Sequence, residues 1–230
     1  MRDLFCLTEL KLTMKKTTFV ATMLLMTAAV SSVQAQDAAA GNAEQGKGKA
    51  AMCIGCHGIV GYKASFPEVY QVPMISGQSA KYISSALGAY RKGERKHPTM
   101  RGIAGSLTDA DIADLAAFYS AQAKPSTDAA PAPAPAVAEL LKKGNCASCH
   151  GEGLNKPIDP SYPKLAGQHA DYVFAALRAY KTTNNANVGR GNAIMGGMAA
   201  PFSNAELKLL AGYIASLPGE LAVVPNAKFR

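Results

Sequence analysis

The strongest constraint on this chain is a five-residue pattern that occurs twice, Cys53-Ile54-Gly55-Cys56-His57 and Cys146-Ala147-Ser148-Cys149-His150. Cys-x-x-Cys-His reads as a covalent attachment site for a c-type haem. Two cysteines at this spacing reach one edge of a porphyrin and form thioethers to its vinyl groups. The adjacent histidine is then placed under the iron. Other chemistries fit less well. Structural zinc pairs usually lie within a short span, whereas these pairs sit in separate repeats. A redox dithiol of the thioredoxin kind belongs beside a βαβ pattern, and the chain shows none. Disulfides would account for paired cysteines but not for a histidine after each pair.

Haem attachment of this kind takes place outside the bacterial cytoplasm, and the N-terminus reads as a secretory signal. Met14-Lys15-Lys16 forms a positive n-region, Thr17 to Val30 is mostly apolar, and Val33-Gln34-Ala35 fits the small-x-small cleavage rule. The apolar stretch is shorter than the ~20 residues a membrane span needs. We therefore expect residues 1–35 to be a signal peptide, with Met14 as the true start and a periplasmic mature protein. Cys6 falls in the removed part, so every remaining cysteine belongs to a haem motif. No thiol is left for a disulfide, an iron ligand or a nucleophile. The chain has 24 basic and 16 acidic residues, a net charge of +8. That balance lacks the dense basic stripe of a nucleic-acid binder and suits docking on acidic surfaces.

The two motifs open two repeats. Pro73-Met74-Ile75-Ser76-Gly77-Gln78 follows the first motif, and Pro163-Lys164-Leu165-Ala166-Gly167-Gln168 follows the second. Tyr82, Ala86 and Tyr90, and then Tyr172, Ala176 and Tyr180, recur every fourth residue, which places each set on one helix face. A closing helix follows in each repeat. Thr108 and Asp111 resemble a capping box, and Ser203 and Glu206 complete one. Ile112, Leu115, Ala116 and Tyr119 mark the expected buried stripe of the first closing helix. Leu207, Leu210, Ala211 and Ile214 mark that of the second. Short helices are expected around 42–55 and 137–148, and no sustained period-two strand pattern occurs. Between the repeats, Pro125, Pro131, Pro133 and Pro135 lie among alanines, a composition that favours a semi-rigid extended spacer. The expected organisation is a first domain over 36–120, a linker over 121–136 and a second domain over 137–230, all-α throughout.

The sixth iron ligand follows from aligning the repeats backwards from their closing helices. Matching Thr108 to Ser203, an offset of ninety-five, pairs Met100 with Met195, His97 with Asn192, and Ile103 with Met198. Only Met100 and Met195 put one ligand type in both repeats. His57 and Met100, and His150 and Met195, are therefore the expected iron ligands, with Cys53, Cys56, Cys146 and Cys149 as the thioether residues. A thioether opposite histidine raises the haem potential and closes the iron to substrates. The carbonyls of Pro73 and Pro163 are candidate acceptors for the proximal histidines' Nδ1–H groups. Arg91, Lys92, Arg95, Lys96 and Arg101 crowd beside Met100 and read as a docking patch for an acidic partner. The second repeat shows no comparable cluster.

With these residues assembled, the chain resembles the class I cytochromes c, specifically the dihaem cytochrome c4 family. The resemblance rests on the paired Cys-x-x-Cys-His motifs, the Pro-x-(Ile/Leu)-x-Gly-Gln segments, the distal methionines and the signal peptide. It implies two tandem all-α cytochrome domains related by a pseudo-twofold axis, each wrapped around one covalent haem c, with the haems edge to edge near the interface. It also implies a periplasmic electron carrier, soluble or membrane-associated, serving respiratory partners such as a terminal oxidase or a periplasmic dehydrogenase. The Ala/Pro linker and the Asn/Gly-rich stretch Thr182–Asn192 depart from the family pattern. An alternative is a dedicated cytochrome subunit of a periplasmic dehydrogenase, for example in sulfide or alcohol oxidation. A haem enzyme is disfavoured, because the ligand inventory leaves neither an open iron nor a spare thiol.

Overall fold

The computed structural model describes residues 41–225. The expected signal peptide and the choice between Met1 and Met14 lie outside the described residues. The chain begins with α1 (Ala43–Lys49), started by Asn42, whose side-chain oxygen accepts the Glu44 and Gln45 amides at 2.9 and 3.1 Å. Helix α2 (Ala51–His57) carries the first haem motif. A loop follows that folds on itself through the two-residue strands β1 (Lys63–Ala64) and β2 (Tyr70–Gln71). Next come α3 (Ala80–Lys92), β3 (Arg95–Lys96), α4 (Pro98–Gly105) and the closing helix α5 (Asp109–Ser120). The second repeat supplies α6 (Pro135–Gly144), α7 (Ala147–His150), a 3₁₀ turn at Glu152–Leu154, α8 (Ala170–Lys181), β4 (Gly189–Arg190), α9 (Ala193–Ala199) and the closing helix α10 (Asn204–Ser216).

The closing helices form where the caps and stripes demand. Thr108 and Asp111 make a reciprocal capping box on α5, and Ser203 and Glu206 make one on α10. Aspartate at the third position is therefore sufficient to close the first box. Both stripes are buried, with Leu115 and Leu207 each only 1% exposed. Helices α1 and α3 pack on α5, and α6 and α8 pack on α10. Ala50, Ile83, Leu115, Ala116 and Tyr119 make one core cluster. Leu154, Ala166, Val173, Ala211, Ile214 and Leu217 make its counterpart.

The Pro-to-Gln segments hang from these closing helices. Gly77 N–H donates to Tyr119 O at 2.8 Å, and Gly167 N–H donates to Ile214 O at 3.0 Å. Gly77 has φ +86°, and a Cβ there would sit 2.3 Å from Glu220 O. Only glycine tolerates both the left-handed backbone and that approach.

The strands are too short for any periodicity in sequence to reveal them. β3 and β4 pair antiparallel across the two repeats, with Arg95 opposite Arg190. The Thr182–Asn192 stretch is thus a clasp between the repeats. Lys96 Nζ reinforces it by donating to Asn185 O at 2.7 Å. Elsewhere Glu68 pairs with Arg178, and the Gln71 amide donates to Asp171 at 2.9 Å. The segment between α5 and α6 is largely exposed. It is tied near its ends by Lys124 N–H to Glu220 O at 3.1 Å and Tyr213 O–H to Pro131 O at 3.3 Å.

Candidate haem site

One cavity of about 620 Å³ runs through both repeats and is lined by all eight expected site residues. Cys53, Cys56 and His57 enter it from α2, and Met100 enters from α4. In the second repeat Cys146, Cys149 and His150 enter beside α7, and Met195 from α9. The remaining walls are largely apolar, including Ile83, Leu87 and Leu115 on one side and Val173, Leu177 and Leu207 on the other.

Each histidine is held by one nitrogen and leaves the other available. His57 Nδ1 lies 2.8 Å from Pro73 O, and His150 Nδ1 lies 2.9 Å from Pro163 O. A carbonyl can only accept, so Nδ1 carries the proton and Nε2 is the free ligand nitrogen. Burial pushes both imidazoles below their ordinary value, against the opposing pull of the proline carbonyls. The neutral ring favoured in this way is the form that binds a metal.

The methionine helices begin alike. His97 Nδ1 accepts the Met100 amide at 3.3 Å, and Asn192 Oδ1 accepts the Met195 amide at 2.9 Å. His97 and Asn192 are equivalent under the ninety-five-residue offset, so both methionines sit three residues past a matched helix cap. Met198 also lines the cavity, one turn further along α9, and is 39% exposed. His97 is a half-buried helix cap, its ring edge-on to Tyr70 and Tyr90.

The basic segment itself is mostly engaged. Arg91 pairs with Asp109 at 2.6 Å, Lys96 belongs to the clasp, and Arg95 turns into the cavity. Arg95 donates to Tyr82 Oη at 3.3 Å and to Tyr172 Oη at 2.6 Å, and lies 4.5 Å over the Tyr90 ring. Arg190 mirrors it, donating to Tyr172 Oη at 3.0 Å and Tyr180 Oη at 3.5 Å. The offset that pairs the methionines pairs these arginines too. Sequence reading missed them because one was absorbed into a charge run and the other into the Asn/Gly-rich stretch Thr182–Asn192. Burial alone would raise the Tyr172 phenol, but the two guanidiniums outweigh it and bring it down to about 8.

Two guanidiniums in one cavity with phenols as their hydrogen-bond partners, and with Arg95 Nε unpaired, call for anionic oxygen. Buried charges require such partners. Haem propionates would supply them. With the apolar walls and the Cys/Cys/His/Met donors, the cavity fits haem at each end.

Comparison with known proteins agrees. The Cytochrome c family model matches residues 43–121 and 134–218. A cytochrome c4 of Azotobacter vinelandii is 36% identical over 199 residues, spanning 78% of this chain and 90% of that protein. The chain belongs to the dihaem cytochrome c4 family. A reduced recombinant cytochrome c4 from Pseudomonas stutzeri, solved by crystallography, superposes with a TM-score of 0.59 at 32% identity. It covers 77% of this chain and all of that one. A thiosulfate dehydrogenase electron acceptor of Thiomonas intermedia is 30% identical over 184 residues, spanning 74% of this chain and 80% of that protein. As a family member the chain is a dihaem cytochrome with two covalently bound haem c groups, and it functions in electron transfer with redox protein partners.

Proposed function

We propose that the protein is a periplasmic electron carrier in which both irons are closed by protein ligands. Cys53 and Cys56 tether the first haem, and Cys146 and Cys149 the second. His57 and Met100 ligate the first iron, His150 and Met195 the second. The observation that supports this reading is one cavity lined by both Cys-x-x-Cys-His sets and by a capped methionine from each repeat. Bound there, haem iron supplies a one-electron ferric/ferrous couple. The residues do the rest. Pro73 and Pro163 fix the imidazole planes, the apolar walls exclude water, and Arg95 and Arg190 neutralise the propionates where the repeats meet. With a histidine and a methionine to hold each iron, the site would move electrons and activate no substrate. Residues 1–35 act as the export signal. Residues 36–120 and 137–230 form the two domains, joined through 121–136.

The likeness to a thiosulfate dehydrogenase electron acceptor supports a second reading, in which the carrier serves one periplasmic dehydrogenase. Purification from native periplasm separates the two. A carrier elutes alone, and a dedicated subunit elutes stoichiometrically with its enzyme. The ligand set is tested by acid-acetone extraction and by substitution. Both haems remain attached in acid-acetone. Met100→Ala and Met195→Ala each halve the sulfur-to-iron charge-transfer absorption and lower one potential. Extractable haem would sink the thioether assignment. A Met198→Ala phenotype with a silent Met195→Ala would sink the repeat-two ligand.

A further inference from the structure

The repeats exchange a pair of glutamines. Gln168 Oε1 accepts the Met74 amide of the first repeat at 3.0 Å, and its Nε2 donates to Met74 O at 2.9 Å. Gln78 reciprocates in the second repeat. Its Oε1 accepts the Lys164 amide at 2.9 Å, and its Nε2 donates to Lys164 O at 3.0 Å. Both side chains are buried, at 4% and 5% exposure. An amide N–H only donates and a carbonyl only accepts, so neither glutamine can be flipped. The second lone pair of each Oε1 takes the next amide of its own chain, Ser79 at 3.0 Å and His169 at 3.1 Å.

The N–H of Met74 and the C=O of Pro73 belong to one peptide group. That carbonyl is the acceptor of His57 Nδ1. The Lys164 N–H and the Pro163 C=O stand in the same relation to His150. We propose that each proximal histidine is tuned from the opposite repeat, His57 by Gln168 and His150 by Gln78, through one hydrogen-bonded peptide unit. The inference rests on the reading of His57 and His150 as iron ligands.

The physical route is short. An amide whose N–H is hydrogen-bonded carries more negative charge on its carbonyl oxygen, so successive bonds strengthen one another, by roughly 10–30% each. A stronger acceptor at Pro73 draws the Nδ1 proton outward. It makes the His57 ring more anionic and a better donor to ferric iron. Gln168 therefore holds down the potential of the first haem, and Gln78 that of the second. The glutamine matches the job because its amide meets both polar groups of one residue, as a neighbouring strand would, where no strand runs.

The test is a crossed pair of substitutions in the holoprotein. Gln168→Met and Gln78→Met keep the side-chain length and remove both hydrogen-bonding groups. Redox titration followed by NMR reads each haem separately. Gln168→Met should lower the ferric-to-ferrous ratio of the first haem about twofold at a fixed applied potential and leave the second unchanged. Gln78→Met should do the mirror image. A shift at the haem of the substituted repeat, an equal shift at both, or no shift at either overturns the proposal. Should a variant fail to fold, the ferrous wild-type protein decides. The Met74 and Lys164 amides should exchange slowly with solvent and show scalar coupling through the hydrogen bond to the Gln168 and Gln78 side-chain carbonyl carbons. Absence of that coupling overturns it. Ferric wild-type protein whose His57 and His150 ring protons lack hyperfine shifts overturns the ligand assignment, and the glutamine proposal with it. Hyperfine-shifted rings without the crossed pattern overturn the glutamine proposal alone.

Discussion

Replacing Asn192 with alanine removes the side-chain acceptor of the Met195 amide. The bond is 2.9 Å long and starts a helix of seven residues, Ala193–Ala199. So short a helix has little stability of its own, and loss of an Asn cap costs about 1 kcal/mol, within a range of roughly 0.5–2. If α9 opens locally to release Met195, that loss multiplies the open population by about fivefold, taking RT as about 0.59 kcal/mol. Exogenous imidazole competes for ferric iron only in the open form. Its apparent affinity for the second haem should therefore rise by about the same factor. Asn192→Ser restores a good cap and should return the affinity to the wild-type value. The first haem should not change in either variant. The measurement is an imidazole titration followed through the charge-transfer absorption. Unchanged affinity in Asn192→Ala, with the helix otherwise intact, would show that Met195 is not the group that closes the second iron.

Two further outcomes concern stability. Leu115→Ala and Leu207→Ala each open a hole beside a haem wall and should cost about 2–5 kcal/mol, measured by denaturant unfolding of the holoprotein. A loss below about 1 kcal/mol at either site would mean that the closing helices are not the core. Lys49 pairs with Asp111 and Asp114 at 2.8 and 2.6 Å, and both carboxyls lie below their ordinary value because of it. A depressed carboxyl stabilises the fold above the unfolded value of 3.8 and loses that contribution as pH falls through the folded one. Lys49→Met should accordingly lower the Tm at pH 7 and lower it by less at pH 2, where part of the linkage has been lost. An equal difference at both pH values would assign the effect to packing.

How much of this was legible in the sequence depends on how far each contact reaches along the chain. The closing helices were, because their caps and stripes are local: Thr108 with Asp111, and Leu207 with Leu210 and Ile214. The proline carbonyls were legible by recurrence alone. The arginine pair was visible in principle, since the offset that aligns Met100 with Met195 also aligns Arg95 with Arg190. A charge run on one side and the Asn/Gly-rich stretch Thr182–Asn192 on the other concealed it. The glutamines recurred plainly, yet their partners are 94 and 86 residues away in the other repeat. No local pattern encodes such a pairing. The β3–β4 clasp, two residues on each side, lies below any period that a sequence can display.

The segment joining α5 to α6 bears on how such a molecule tolerates change. Fixed near both ends, to Glu220 and from Tyr213, it serves as a tether. Loop-closure entropy grows only with the logarithm of length, so doubling a tether costs about 0.6 kcal/mol. Its length and its run of Ala-Pro steps are therefore nearly free to drift. The surfaces it brings together are not, because Arg95, Arg190, Gln78 and Gln168 each answer to a partner in the other half. A substitution in one half has to be matched by the other, whereas the connection between them can be rewritten at will.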